Sequence, residues 1–125
     1  MNITLIPAAV IASAMLIATA AHAQAPIQIE DGMLTNESGM TLYTYDKDEA
    51  GSGQSNCYEK CAQNWPPAQA QSDATAEGDY TLIERKDGSQ QWVYKGQPLY
   101  TFVKDQNPGD QTGDGVGGMW SVARE

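Results

Sequence analysis

Hydrophobic and polar positions alternate with a period of two over several short stretches. Met40 to Tyr45 and Leu99 to Val103 do so with aromatic and β-branched residues, which predicts strands. Ile27 to Glu30, Tyr80 to Arg85, Gln91 to Lys95 and Met119 to Ala123 are further strand candidates. Asp87-Gly88 and Lys95-Gly96-Gln97-Pro98 carry turn chemistry between them. One stretch reads as helix. Asn56 can cap it, with Glu59 three residues on in a capping-box arrangement. It should end by Trp65, because Pro66 and Pro67 disfavour helix in the residue before them. Gln69 to Gly78 is rich in Ala, Gln and acids without periodicity and reads as a linker, and Pro108 to Gly118 holds five glycines and reads as a long loop. Short strands separated by Gly, Asp and Pro predict an all-β domain with one short helix, as an antiparallel sheet, sandwich or small barrel.

The pattern also repeats. Gly39-Met-Thr-Leu-Tyr-Thr-Tyr-Asp-Lys-Asp48 and Gly96-Gln-Pro-Leu-Tyr-Thr-Phe-Val-Lys-Asp105 share G-x-x-L-Y-T-[YF]-x-K-D at a shift of 57 residues. Asp31-Gly32 precedes the first copy and Asp87-Gly88 the second, and Trp65 and Trp120 follow at nearly equal distances. The units span about 27–68 and 80–124. Each is too small to bury a core alone, so the two are expected to pack as one pseudo-symmetric domain.

Leu5 to Ala20 is apolar without alternation and is followed by Ala21-His22-Ala23, a small-x-small cleavage pattern. With Pro7 and Ser13 it falls short of the ~20 apolar residues that a spanning helix needs. Residues 1–23 therefore read as a signal peptide and 24–125 as one secreted domain with no transmembrane segment. All 16 acidic and 7 basic residues lie in that domain, giving a net charge of −9. This balance argues against nucleic acid and anionic lipid as partners, which need a basic patch. A periplasmic or extracellular location follows, and it is oxidising.

Three groups of residues could carry chemistry. Cys57 and Cys61, four apart on a helix, face one side. The first reading is a structural disulfide; a redox-active pair and a soft-metal site completed by Met33, Met40 or Met119 are the alternatives. Tyr43 and Tyr45, with Tyr100 and Phe102 in the second copy, lie on one face of their strands, and Leu42 and Leu99 face the other way. These rings either form the core between the units or line a groove for a flat ligand, with Trp65, Trp92, Tyr94 and Trp120 as a possible ligand surface. Asp48 and Asp105 close the two motifs. Asp110 and Asp114 resemble part of a calcium loop, but the twelfth position holds Ser121 instead of the closing Glu. The alternative there is turn chemistry.

The only histidine, His22, falls in the signal segment. Histidine-based nucleophilic catalysis and imidazole metal sites are thereby excluded from the secreted domain. No phosphate-cradling loop is present, because Gly113 to Gly118 lacks the lysine and the strand-to-helix context. No enzyme and no cofactor are expected.

Both Tyr43-Thr-Tyr45-Asp-Lys-Asp48 and Tyr100-Thr-Phe102-Val-Lys-Asp105 fit Y-x-[FWY]-x-x-D. The chain resembles the secreted-repeat family of predicted bacterial lipoproteins named for that motif. The likeness extends through Cys57-x-x-x-Cys61-Ala62, Trp65-Pro66-Pro67, Trp92-x-Tyr94-Lys95-Gly96-x-Pro98, Pro108-Gly109-Asp110 and Gly117-Gly118-x-Trp120. The resemblance implies a secreted or envelope-attached tandem-repeat domain of unknown biochemical role. Two positions depart from it. The lipid-attachment cysteine of many relatives is lacking, and Glu59 stands where relatives often have glycine. The function expected is a non-catalytic envelope module that binds a protein or small ligand. The alternative is an accessory to envelope redox or metal chemistry.

Overall fold

A computed structural model describes residues 25–125, and the expected signal peptide lies outside the described residues. Eight short strands follow one another: β1 (Ile27–Glu30), β2 (Met33–Asn36), β3 (Tyr43–Tyr45), β4 (Gln69–Ala70), β5 (Tyr80–Glu84), β6 (Gln90–Tyr94), β7 (Gln97–Pro98) and β8 (Trp120–Val122). Helix α1 (Lys60–Asn64) lies between β3 and β4, and a 3-10 turn at Val116–Gly118 leads into β8. Every pairing is antiparallel: β1 with β2, β3 with β8, and β6 with β5 on one side and β4 and β7 on the other. The mostly β, antiparallel architecture with one short helix agrees with the alternation in the sequence.

The two copies are interlocked through their ends. Leu34 N–H donates to Ala123 O, Ala123 N–H to Leu42 O, and Leu42 N–H to Leu34 O, closing a ring of three segments. Trp92, Ala68 and Leu99 close the same ring in the other half: Trp92 N–H donates to Ala68 O, Ala68 N–H to Leu99 O, and Leu99 N–H to Trp92 O. In each ring the third segment belongs to the other copy, so neither unit completes its own sheet.

Neighbouring residues of the central segments point to opposite sides, as period two requires. Tyr43, Tyr100 and Val122 enter one core with Cys57, Trp65, Phe102 and Trp120. Leu42, Leu99 and Ala123 enter a second with Leu34, Trp92 and Tyr94. The opposite facing of Leu42 and Leu99 to the tyrosines is thus what separates the two cores.

Three expectations need correction. Leu99 to Val103 is extended but forms no continuous ladder. Leu99 bonds to Trp92, Tyr100 to Tyr43, and Thr101 to Pro66, so the segment changes partner at each step. The stretch read as a linker contributes β4, because the repeat's end must close the other copy's ring. Asn56 does not cap the helix. Its N–H donates to Asp48 Oδ1 (2.6 Å) and its side-chain amide to Lys47 O (2.7 Å), while α1 begins after Glu59 with no side-chain cap. Its end at Trp65 is as expected.

Candidate functional site

The six-residue motif builds its own site, and each position has a separate task. Tyr43 and Tyr100 sit opposite one another and exchange both backbone hydrogen bonds, Tyr43 N–H to Tyr100 O at 2.7 Å and Tyr100 N–H to Tyr43 O at 3.0 Å. Three residues after each aromatic, a turn reverses the chain. Asp48 N–H donates to Tyr45 O and Asp105 N–H to Phe102 O, the i to i+3 bond of a β-turn. Each turn sends its aspartate inward to the tyrosine of the other copy. Tyr43 Oη donates to Asp105 Oδ2 at 2.6 Å, and Tyr100 Oη donates to Asp48 Oδ2 at 2.5 Å. The motif is a reciprocal clasp between the repeats.

The middle aromatic of the motif stacks. Phe102, Trp65, Trp120 and Tyr45 form a column with ring centroids 4.0, 3.8 and 4.3 Å apart and planes within 17° of parallel. The rings come alternately from the two copies. Tyr43 and Tyr100 meet the column edge-on, at 5.3 Å from Trp65 and 5.2 Å from Trp120. Such offset and edge contacts add roughly 0.5–1.5 kcal/mol each beyond their area burial. Of the four aromatics read as a possible ligand surface, Trp65 and Trp120 are buried in the column at 5% exposure, while Trp92 and Tyr94 lie in the second core at 2% and 7% and each borders a surface cleft.

Both clasps place charge in the interior. Asp48 Oδ1 accepts the Asn56 N–H, and Asp105 Oδ1 accepts the Thr112 N–H (2.9 Å) and the Thr112 hydroxyl. Burial pushes Tyr43 and Tyr100 well above the ordinary tyrosine range, reinforced by their aspartates. Both hydroxyls therefore remain donors at neutral pH. Burial also raises Asp48, against the Tyr100 hydroxyl, the Asn56 N–H and the positive charge of Arg85. Arg85 is itself buried. It donates to Gln91 Oε1 (2.7 Å), Ser55 Oγ (3.1 Å) and Cys57 O (2.6 Å), and its guanidinium lies 4.4 Å from the Tyr58 ring centroid. Ser55 Oγ, already accepting from Arg85 and from Cys57 N–H, hands its proton to Tyr100 Oη (2.6 Å). Sequence reasoning missed Arg85, Ser55 and Gln91; nothing local distinguishes them from exposed polar residues.

Cys57 and Cys61 are bonded, with Cα atoms 5.2 Å apart. Cys57 is fully buried in the aromatic core and Cys61 is partly buried. Glu59 between them has φ +57°, a left-handed conformation that costs little only for glycine. Glu59 is therefore held in a strained conformation. Met33 and Met119 pack against the aromatic core, the same cluster that holds Cys57 and Cys61. Asp110 Oδ2 accepts the N–H groups of Gln106 and Asn107, and Asp114 Oδ1 accepts that of Val122, which is turn chemistry. Among the described residues no group of three or more His, Cys, Asp or Glu is placed to hold a metal.

The interlocked ends leave two clefts. The first, about 280 Å³, is lined by Thr44, Tyr45, Asp46, Lys95, Ser121 and Arg124, among others. The second, about 230 Å³, is lined by Ser38, Leu42, Pro67, Gln69, Trp92 and Thr101, among others. They are copies: Thr44 corresponds to Thr101, Lys95 to Ser38 and Arg124 to Gln69 in the two repeats. The cations of the first cleft are replaced by neutral residues in the second. The Tyr45 end of the ring column reaches the first cleft, whereas Gly113 covers the Trp65–Phe102 end.

No helix of the described residues is long and apolar enough to cross a membrane. No curated protein and no solved structure matches the chain. A family model described as a secreted repeat of unknown function matches it twice, over residues 26–69 and 81–124, the two halves of the reciprocal clasp. The chain belongs to this family of secreted repeats.

Proposed function

We propose that the protein is a secreted, non-catalytic envelope module that binds a small polar ligand in the first cleft. The observation that carries this reading is the asymmetry of the two clefts. Two of the chain's seven basic residues, Lys95 and Arg124, line one cleft and have neutral counterparts in the other. Beside them lie Asp46, the Tyr45 ring and the hydroxyls of Thr44 and Ser121, a set of both charges and an aromatic wall that suits a small molecule with polar groups. Tyr43 and Tyr100 spend their hydroxyls in the clasps, and Asp48, though on the cleft wall, has both oxygens engaged, so the site's chemistry falls to the other cleft residues.

Native mass spectrometry of the protein recovered from the periplasm tests this. A discrete bound mass is expected in wild type and is lost in Lys95→Asn/Arg124→Gln. Asparagine tolerates the left-handed backbone at position 95 (φ +47°), and glutamine is the residue of the second cleft. Protein that carries no bound mass, or a variant that keeps it, overturns the reading. Recovery from the periplasm with Gln24 as the N-terminal residue would support the proposed leader 1–23.

The redox alternative rests on Cys57–Cys61. Full burial of the Cys57 side chain favours a structural bond. A reduction potential below about −300 mV is expected, and a value near −200 mV would restore the redox reading.

A further inference from the structure

We propose that a third cleft, between β1 and the turn that leads into β5, binds a small organic cation with an apolar body. At about 430 Å³ it falls within the roughly 300–1,000 Å³ of small-molecule pockets. Ile27 and Ile29 give it an apolar wall, and Ile29 is 45% exposed, so that surface is open to a ligand. Tyr80 and Tyr94 line it too, with ring centroids 5.1 Å apart and planes tilted by 39°. Tyr94 is 7% exposed, yet its hydroxyl is not sealed and has no hydrogen-bond partner among the described residues. Burial, the Tyr94 hydroxyl and the carboxylates of Asp79 and Glu125 all raise the Tyr80 hydroxyl above the ordinary tyrosine value. Both hydroxyls and both carboxylates therefore converge on one end of the cleft. Glu77 adds a third carboxylate, and among the described residues no lysine or arginine lines the cleft. Carboxylates beside two tyrosine rings attract a cation and oppose an anion. The isoleucine wall selects one with an apolar body over a hydrated metal ion. The turn is also held in place by its own backbone. Glu77 and Tyr80 exchange both hydrogen bonds (2.8 and 2.9 Å), and Asp79 O accepts the Lys95 N–H (2.9 Å). A ligand thus meets a site already ordered. The Lys95 side chain, whose Nζ lies 5.2 Å from the Tyr94 ring centroid, lines the first cleft instead.

The test uses a matched pair of probes, phenethylammonium and 2-phenylethanol, which share a ring and differ in charge. Backbone amide signals of the 15N-labelled protein are followed at neutral pH as each probe is added. Phenethylammonium is expected to move the Gly78, Tyr80 and Glu125 signals saturably. It should bind about tenfold more tightly than the alcohol, the worth of one hydrogen bond to a charged group. In Asp79→Asn/Glu125→Gln, at two exposed positions outside both cores, that preference should vanish while the alcohol binds as before. Equal binding of both probes by wild type overturns the proposal. So do shifts that fail to saturate with the cation, and a preference that survives in the variant. The first two outcomes are read in wild type, so they stand whatever the variant does. They are independent of the first cleft, whose test uses Lys95 and Arg124.

Discussion

The Tyr100–Asp48 clasp and the Tyr43–Asp105 clasp use one motif twice, yet they are braced differently. In the first, the tyrosine oxygen is joined through Ser55 to Arg85, and the flanking loop is stapled by Cys57–Cys61. In the second, Thr112 supplies both donors to Asp105 Oδ1, and Gly113 N–H donates to Tyr43 Oη at 3.2 Å. One half stabilises its buried carboxylate with a charge and a covalent staple, the other with neutral donors and close packing. Repetition of a motif thus fixes the geometry of the pair, while the loop after each copy decides how the buried charge is tolerated.

The largest expected effect breaks the first half alone. Arg85→Met should cost about 3–5 kcal/mol, because it strips the cation facing buried Asp48 and leaves Ser55, Gln91 and the Cys57 carbonyl without their donor. Urea denaturation measures it, and a loss under about 1 kcal/mol would show that the relay is not an electrostatic brace.

Removing either tyrosine hydroxyl tests whether the clasps are equivalent. Tyr100→Phe and Tyr43→Phe should each cost about 1.5–3 kcal/mol, the range for hydrogen bonds to charged groups. Double-mutant cycles with Asp48→Asn and Asp105→Asn should give coupling of about 1 kcal/mol or more within each crossed pair. Tyr43 with Asp48, the pair within one copy, should show little.

Gly113→Ala probes the packing brace of the second half. Its Cβ would lie 2.7 Å from Trp65 Cη2 and 3.0 Å from Phe102 Cδ2. Overpacking of this kind costs about 1–3 kcal/mol. A neutral outcome would mean that the ring column can slide.

The opposite sign is expected at Glu59. Replacing it by glycine relieves the left-handed backbone at φ +57° and should stabilise the protein by about 1 kcal/mol, read as a raised Tm.

The smallest effect is a pH dependence. Because the folded-state pKa of Asp48 is raised, its contribution is fully present below the unfolded value of 3.8 and is lost as pH rises through the folded value. An amide in its place does not titrate. Asp48→Asn should therefore compare less favourably with wild type at pH 3 than at pH 7. A reversal of that order would mean that the hydrogen bonds and Arg85 outweigh burial.

Much of the framework was legible from residues alone. Alternation at Tyr80–Glu84 and Trp120–Val122 located strands, because each has one face in a core and the hydrophobic period records that. In Ile27–Glu30 only Ile27 packs on a core, and Ile29 is exposed. The shift of 57 residues and the family resemblance located both copies of the motif. Other elements were hidden because distant partners create them. β4 is two residues long and exists only where Gln69 and Ala70 meet Gln91 and Gln90. Asn56 has the composition of a cap, but the Asp48 carboxylate claims its N–H first.

By itself the sequence determined the repeat and the antiparallel β character, since both follow from local period and spacing; it located the motif aromatics and the two cysteines but left the role of each open. Only the tertiary structure decided that each tyrosine serves the other copy's aspartate, that Trp65 and Trp120 are buried against one another, and that two clefts of different charge open at the interlocked ends. Those facts depend on contacts between residues more than fifty positions apart, and no local pattern encodes which copy an inward-facing side chain will meet.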